Sequence, residues 1–350
     1  METEKINVFV PSETASILEK DARTFEIFKN DNKTINTNRF LSQLLIGYYD
    51  VFTASYKKMQ DQISSVLDSI GIQDNAKQSS TADLLIKKVL FPETPKRRGQ
   101  HARRLSLKPT AATLGILNNI EKNLAGDTVS QYLCRLFTSY TLKPLNERER
   151  IIFKSTYDFL MRACTTRQPF SFTLSWNNEV VHEVLPWCID VSKEELHNYL
   201  LCQEYIPDKE KPDQGRYEAR TYRLNRITHE QLSANTMPID QDVLRHLNMM
   251  KHYGPQYPIN DDEECCVRLT EEGIHLFNRI YFGRPVIDRT EKKPDGTYYY
   301  FKGSKFQLYT YFRRFDKDHA IILYPKSLRD QMIEAYQAAL DTYSALPNEL

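Results

Sequence analysis

Several things that would assign this chain quickly are missing from it. Apolar runs such as Leu44-Leu45-Ile46 fall far short of the roughly 20 residues that a membrane-spanning helix needs. The opening Met1-Glu2-Thr3-Glu4 has neither a basic start nor an apolar core, so no secretory signal is expected and the cytoplasm is the expected location. Cys134, Cys164, Cys188, Cys202, Cys265 and Cys266 include no CxxC pair, and no two histidines have metal-ligand spacing. Zinc is therefore not expected, and the thiols are read as reduced, with adjacent Cys265-Cys266 read as packing residues. Net charge is missing too: 47 basic side chains face 46 acidic ones, a formal +1. No whole-molecule field draws in a polyanion, so any nucleic-acid binding must come from local patches.

The sequence motifs of enzymes are also missing. There is no P-loop, no GxGxxG after a strand, no GxSxG and no HExxH. His182 lies beside Glu183, and His197 near Glu194 and Glu195, as surface neighbours commonly do. The run Asp261-Asp262-Glu263-Glu264 reads as an acidic loop rather than a metal-binding set. No catalytic residue, metal or cofactor is expected, and the chain is read as a non-enzyme.

What is present is an ordinary globular composition, 41% hydrophobic and 27% charged over 350 residues, long enough for two to four domains. Lys5 to Val10 alternates, with Ile6, Val8 and Val10 on one face and Lys5, Asn7 and Phe9 on the other. Pro11 ends that strand and Ser12 opens a helix to about Phe28; a second helix, from Asn36 or Thr37, runs to about Ile70. One strand followed by two helices resembles a ribbon-helix-helix domain over Lys5–Tyr49. A lone strand has two unpaired edges and needs a partner. The expected partner is the same strand of a second copy, giving a homodimer. In that family the outward ribbon residues enter the major groove, here Lys5, Asn7 and Phe9, with Phe9 departing from a polar reading face. Structural pairing without DNA reading is the other possibility for this strand.

Residues 1–72 are thus assigned to the ribbon-helix-helix domain and 73–108 to a basic linker. Pro95 to Lys108 holds six Lys or Arg residues, Arg97, Arg98, Arg103 and Arg104 among them, and no acid. It reads as an exposed tether suited to phosphate contact. Residues 109–168 read as a helical segment, with Val129, Leu133, Leu136, Phe137 and Tyr140 on one face, Pro144 as a break, and a helix over Arg148–Ala163.

After Pro169 the period changes to alternation. Phe170–Trp176 and Val180–Leu185 flank the turn Asn177-Asn178-Glu179, followed by Asn198–Tyr205 and Arg220–Ile227. Short strands this close together predict a small closed β-barrel over 169–232. The residues here resemble a WYL domain, an SH3- or Sm-like barrel of bacterial regulators. Asn198-Tyr199-Leu200 aligns with the naming Trp-Tyr-Leu triplet, asparagine replacing tryptophan, and Arg220-Thr221-Tyr222-Arg223-Leu224-Asn225-Arg226-Ile227 aligns with the family's RxFRLxRI strand. Alternation places Arg220, Tyr222 and Arg226 on one face and Arg223 on the other. Guanidinium groups beside rings suit phosphates and unstacked bases, so Arg220, Tyr222, Arg223 and Arg226, with Tyr199 and Trp176, are the candidate ligand-binding set. The alternative is a surface network in which the arginines pair with Glu204, Glu210 and Glu218.

Residues 233–350 give the order β-α-β-β-α-β, the plan of a ferredoxin-like unit and of the extension commonly attached to WYL domains. The expected fold class is thus α+β multidomain: ribbon-helix-helix, helical middle, SH3/Sm-like barrel and ferredoxin-like α/β unit. Chains of this layout resemble the WYL accessory proteins of type VI-D CRISPR systems. That resemblance implies binding of single-stranded nucleic acid, RNA foremost, and enhancement of an RNA-guided effector ribonuclease. The alternative is a duplex-DNA transcription regulator with a ligand-sensing barrel.

Overall fold

The computed structural model describes residues 4–72, 74–91, 101–124, 126–208, 210 and 215–345. Among them are 11 α-helices and three β-sheets, a mixed α+β chain of more than one domain. It divides into two compact units, 1–158 and 159–350.

In the first unit, β1 (Ile6–Pro11) buries Val8 and Val10 and runs straight into α1 (Ser12–Thr24). The helix α2 (Thr37–Ser69) starts where the Asn36 side chain accepts from the Arg39 amide at 3.0 Å; α3 (Asn75–Leu85) is capped by Asp74. A second strand, β2 (Ala102–Leu107), then leads to α4 (Ala111–Lys122) and α5 (Val129–Thr141), each opened by a capping box. Next come α6 (Leu145–Ile152) and α7 (Lys154–Thr166), where one helix over Arg148–Ala163 was expected. The division between the units falls inside α7.

Here the structure corrects the expectation of a basic linker and of a ribbon that needs a second copy. β1 pairs antiparallel with β2 of the same chain, Ile6 opposite Leu107 and Pro11 opposite Ala102. Within the arginine-rich stretch, Leu105 and Leu107 alternate with Arg104 and Ser106, and Leu107 is completely buried. Strand alternation was present there, hidden beneath the charge.

The pairing exposes an internal repeat. The order β-α-α occurs twice, as β1-α1-α2 and β2-α4-α5. Five residues before the first helix of each half stand Asn7 and Ser106, directly opposite one another. Thr14 and Leu18 of α1 match Thr113 and Leu117 of α4, all four buried. In α2 and α5, Leu41, Leu44, Leu45 and Tyr48 match Leu133, Leu136, Phe137 and Tyr140, all buried in one core. The Tyr48 and Tyr140 rings meet edge to face at 6.4 Å.

The second unit holds the other two sheets. Strands β3 (Phe170–Leu174), β4 (Val180–Val191), β5 (Asn198–Pro207), β6 (Gly215–Arg223) and β7 (Ile227–Leu232) form a sheet in the order β6-β5-β4-β3-β7. The closed barrel expected here is not formed by the backbone ladder. A 3-10 turn, Leu224–Arg226, carries the chain from β6 to β7, and those two strands are the sheet's edges. β4 continues through Pro186, where the register shifts between Pro186 and Cys188, because proline has no amide to give the ladder. Helix α8 (Gln241–Tyr253) packs Val243, Leu247 and Met250 on Leu201 and Ala219.

The remaining elements are β8 (Cys265–Leu269), α9 (Glu271–Arg279), β9 (Arg289–Lys293), β10 (Gly296–Phe301), α10 (Lys305–Phe312), β11 (Ala320–Tyr324) and α11 (Lys326–Ser344). Their strands are all antiparallel, in the order β11-β8-β10-β9. Val267, Leu269, Phe301, Phe277, Leu308 and Phe312 form the core on one face. Gly273 brings α9 against the sheet: a Cβ there would lie 1.9 Å from the His319 carbonyl oxygen.

Candidate nucleic-acid interface

Among the described candidates, Lys5, Asn7, Phe9, Arg103 and Arg104 belong to the first unit and Trp176, Tyr199, Arg220, Tyr222, Arg223 and Arg226 to the second. On the ribbon, residues directly opposite share a face, so Asn7, Phe9, Arg104 and Ser106 lie together outward, with Lys5 exposed at the start of β1. Ser106 Oγ donates to Asn7 Oδ1 at 2.7 Å. Arg103 lies on the other face, opposite Val10, and its guanidinium reaches Glu19 at 3.3 Å. Arg23 also holds Glu19, at 3.1 Å, and these hydrogen bonds keep the Glu19 carboxyl below its usual range. Sequence reading had treated Arg104 as part of a tether; pairing places it beside Phe9, and Ser106 was missed. The repeat of Phe40-Leu41 and Tyr48 in Tyr132-Leu133 and Tyr140 was the signal that could have found the second half. Arg97 and Arg98 lie outside the described residues.

On the five-stranded sheet, Arg220 and Tyr222 line a cleft of about 1070 Å³ together with Glu179, Glu183, Glu204 and His182. Arg220 is held by Glu218 at 3.0 Å and Glu204 at 3.7 Å, and the Tyr222 hydroxyl donates to Glu204 at 2.5 Å. Burial pushes the Glu204 carboxyl above the usual carboxylate range and the Tyr222 hydroxyl above its own. On Glu183, hydrogen bonds from the Ser233 hydroxyl and then the Asn235 amide act the opposite way. This arginine therefore sits in the carboxylate network that the sequence offered as the alternative, and the cleft carries more acids than cations.

The other sheet candidates lie elsewhere. Arg223 points away from the cleft to His197 Nε2 at 2.8 Å. Tyr199, opposite it on β5, is buried and donates its hydroxyl to Glu195. Arg226 is in the 3-10 turn, not on the strand, so it does not share a face with Arg220 by alternation. That turn meets the β3–β4 hairpin, where the Ser175 amide donates to the Arg226 carbonyl at 2.9 Å. Trp176, the next residue, is 61% exposed. Trp176 and Arg226 thus mark one end of the sheet.

Burial raises the thiols, Cys134 to about 11 and Cys265 to about 12; Cys265 and Cys266 lie on opposite faces of β8, both fully buried. Among the described residues no three His, Cys, Asp or Glu side chains are placed to hold a metal, and no helix is long and apolar enough to cross a membrane.

The chain matches no family model, and no curated protein matches it. Among solved structures, one described as a CRISPR Cas-related protein has a TM-score of 0.68 at 19% identity, over 98% of this chain and 94% of its own. The two share a fold along nearly their whole lengths. Proteasome accessory factor B/C of Arthrobacter aurescens matches over 81% of this chain and 46% of its own at 17% identity, with a TM-score of 0.25, too low to carry an inference.

Proposed function

We propose that this protein is a non-catalytic accessory of a CRISPR system that binds single-stranded RNA and enhances an RNA-guided ribonuclease of the type VI-D kind. The observation that carries this reading is the whole-length fold shared with a CRISPR Cas-related protein. The element orders agree with it. Two β-α-α halves paired through β1 and β2 are the plan of a ribbon-helix-helix pair folded from one chain. Five strands interrupted by a 3-10 turn suit the SH3-like WYL reading, and β11-β8-β10-β9 suits the ferredoxin-like one. The homodimer stays in this proposal with its contact moved off the ribbon, to the exposed α11 row Ile333, Tyr336, Leu340 and Tyr343, whose spacing suits a helix seam.

The test is competition binding of the full chain to single-stranded RNA, single-stranded DNA and duplex DNA, with addition to an effector ribonuclease assay. The expected result is a preference for single-stranded RNA and faster target cleavage. Trp176→Ala, in an exposed turn, is expected to weaken RNA binding about tenfold through loss of base stacking. A duplex preference with no effect on cleavage would overturn the proposal. It would favour a second reading, supported by the outward ribbon face of Asn7, Phe9, Arg104 and Ser106: a duplex-DNA regulator reading a groove with two unlike strands.

A further inference from the structure

The four-stranded sheet has two unlike faces. One is the apolar core. Across the other, the register places Tyr324, Cys266, Tyr300 and Arg289 in one row and Ile321, Arg268, Tyr298 and Glu291 in the next, with Lys293 opposite Gly296 at the hairpin. Three rings and three cations within so small an area is an unusual composition for a sheet surface, where β-branched residues would satisfy the strands equally well.

The side chains are arranged rather than merely collected there. The Arg289 guanidinium lies 3.7 Å from the Tyr300 ring centroid, and Lys293 Nζ lies 4.1 Å from that of Tyr298. The two hydroxyls are tethered at the rim, Tyr300 donating to Glu291 at 2.9 Å and Tyr298 to Asp295 at 3.0 Å. Glu264 accepts from both terminal guanidinium nitrogens of Arg289, and Asp295 holds Arg268 at 3.0 Å. Tyr300 is covered by Arg289, whose side chain is 51% exposed, while Tyr324 is 40% exposed. The outer plane of the guanidinium therefore continues the ring stack toward solvent.

These cations are matched by carboxylates, so the face has little net charge. A ligand held there is recognised by stacking more than by its phosphates, which selects a strand with unpaired bases over a duplex, whose base faces are hidden. Tyr298 and Tyr300 are two residues apart on one strand, about 6.6 to 6.8 Å, a stride that leaves room for successive unstacked bases.

We propose that this face is a base-stacking platform for single-stranded nucleic acid. Bases stack on Tyr298, on Arg289 layered over Tyr300, and on Tyr324, with Lys293 and Arg268 beside the phosphates. This inference rests on the single-strand reading above and locates a second binding surface for it.

The test uses the full chain and a fluorescein-labelled uridine RNA of about nine nucleotides, followed by fluorescence anisotropy at several salt concentrations. Tyr298→Ala with Tyr324→Ala is expected to weaken binding at least about fivefold, from loss of base stacking. Tyr298→Phe with Tyr324→Phe keeps the rings and is expected to bind within about twofold of the parent. With three cations on the face, the slope of log affinity against log salt contributed there is at most about −2. Circular dichroism and melting of both pairs check the fold. If the parent binds this RNA and the alanine pair binds it equally well, the platform is wrong while the single-strand reading stands. If the alanine pair changes the oligomeric state but not the affinity, the face covers a second copy, and the platform is again wrong. If the parent does not bind the RNA at all, both ideas fall.

Discussion

Glu204 stands at the centre of the acidic cleft, holding Arg220 and the Tyr222 hydroxyl while largely removed from water. Burial raises its carboxyl above the ordinary glutamate range despite both partners. The folded chain therefore holds that proton more tightly than the unfolded chain does, and the ionised side chain costs stability at neutral pH. That cost disappears as the pH falls below the unfolded value, about 4.3. Glu204→Gln, which can still accept from Tyr222 and leaves Glu218 on Arg220, is expected to raise the melting temperature at pH 7. The gain should shrink toward nothing near pH 4, in paired thermal melts. Arg220 itself was legible in the sequence as a candidate, but the carboxylates that occupy it were only one alternative, because spacing along the chain cannot say which loop or strand lies opposite.

The ribbon shows the same limit at the scale of an element. Six basic residues and no acid between Pro95 and Lys108 favour a solvated tether when charge is counted, whereas Leu105 and Leu107 favour a strand when alternation is counted. Alternation prevails because Leu107 finds a buried place opposite Ile6, and burying a leucine is worth roughly 1.5–3 kcal/mol, more than an exposed arginine costs. Two substitutions three residues apart separate the descriptions. Leu107→Asp places a charge in the core and is expected to destabilise the first unit by at least about 3 kcal/mol. Arg104→Ala, on the outward face, is expected to stay within about 0.5 kcal/mol. A tether would tolerate both equally, and urea unfolding measures the difference.

At the scale of the whole molecule, the two units have separate cores, Phe40, Leu44, Phe137 and Tyr140 in one and Phe277, Phe301 and Phe312 in the other. Two unfolding transitions are expected in urea rather than one. Asp21 identifies the first. It is 1% exposed, accepts from the Tyr140 hydroxyl at 2.9 Å and pairs with Arg148 at 3.2 Å, so it ties α1 to α5 and α6. Asp21→Ala leaves a cation and a hydroxyl unpaired inside the protein, a loss of about 3 kcal/mol or more. The transition of the first unit should move by that amount and the other should not, as followed by tyrosine and tryptophan fluorescence, since both tryptophans, Trp176 and Trp187, lie in the second unit.

By itself the sequence determined the mixed α and β character, the start of the second helix at Asn36 or Thr37, the switch from helical to alternating period after Pro169, and the strand that carries Arg220 and Tyr222. Those features rest on neighbours along the chain: a cap is three residues from the amide it holds, and a face is read every second or every third and fourth residue. Tertiary structure alone decided that β1 pairs with β2 about a hundred residues away, that β6 and β7 remain the edges of their sheet, and that Arg220 faces carboxylates. It also brought Tyr298, Tyr300 and Tyr324 together with Arg289. Each of these depends on which strands lie side by side, and period-two alternation is the same whichever neighbour a strand finally meets.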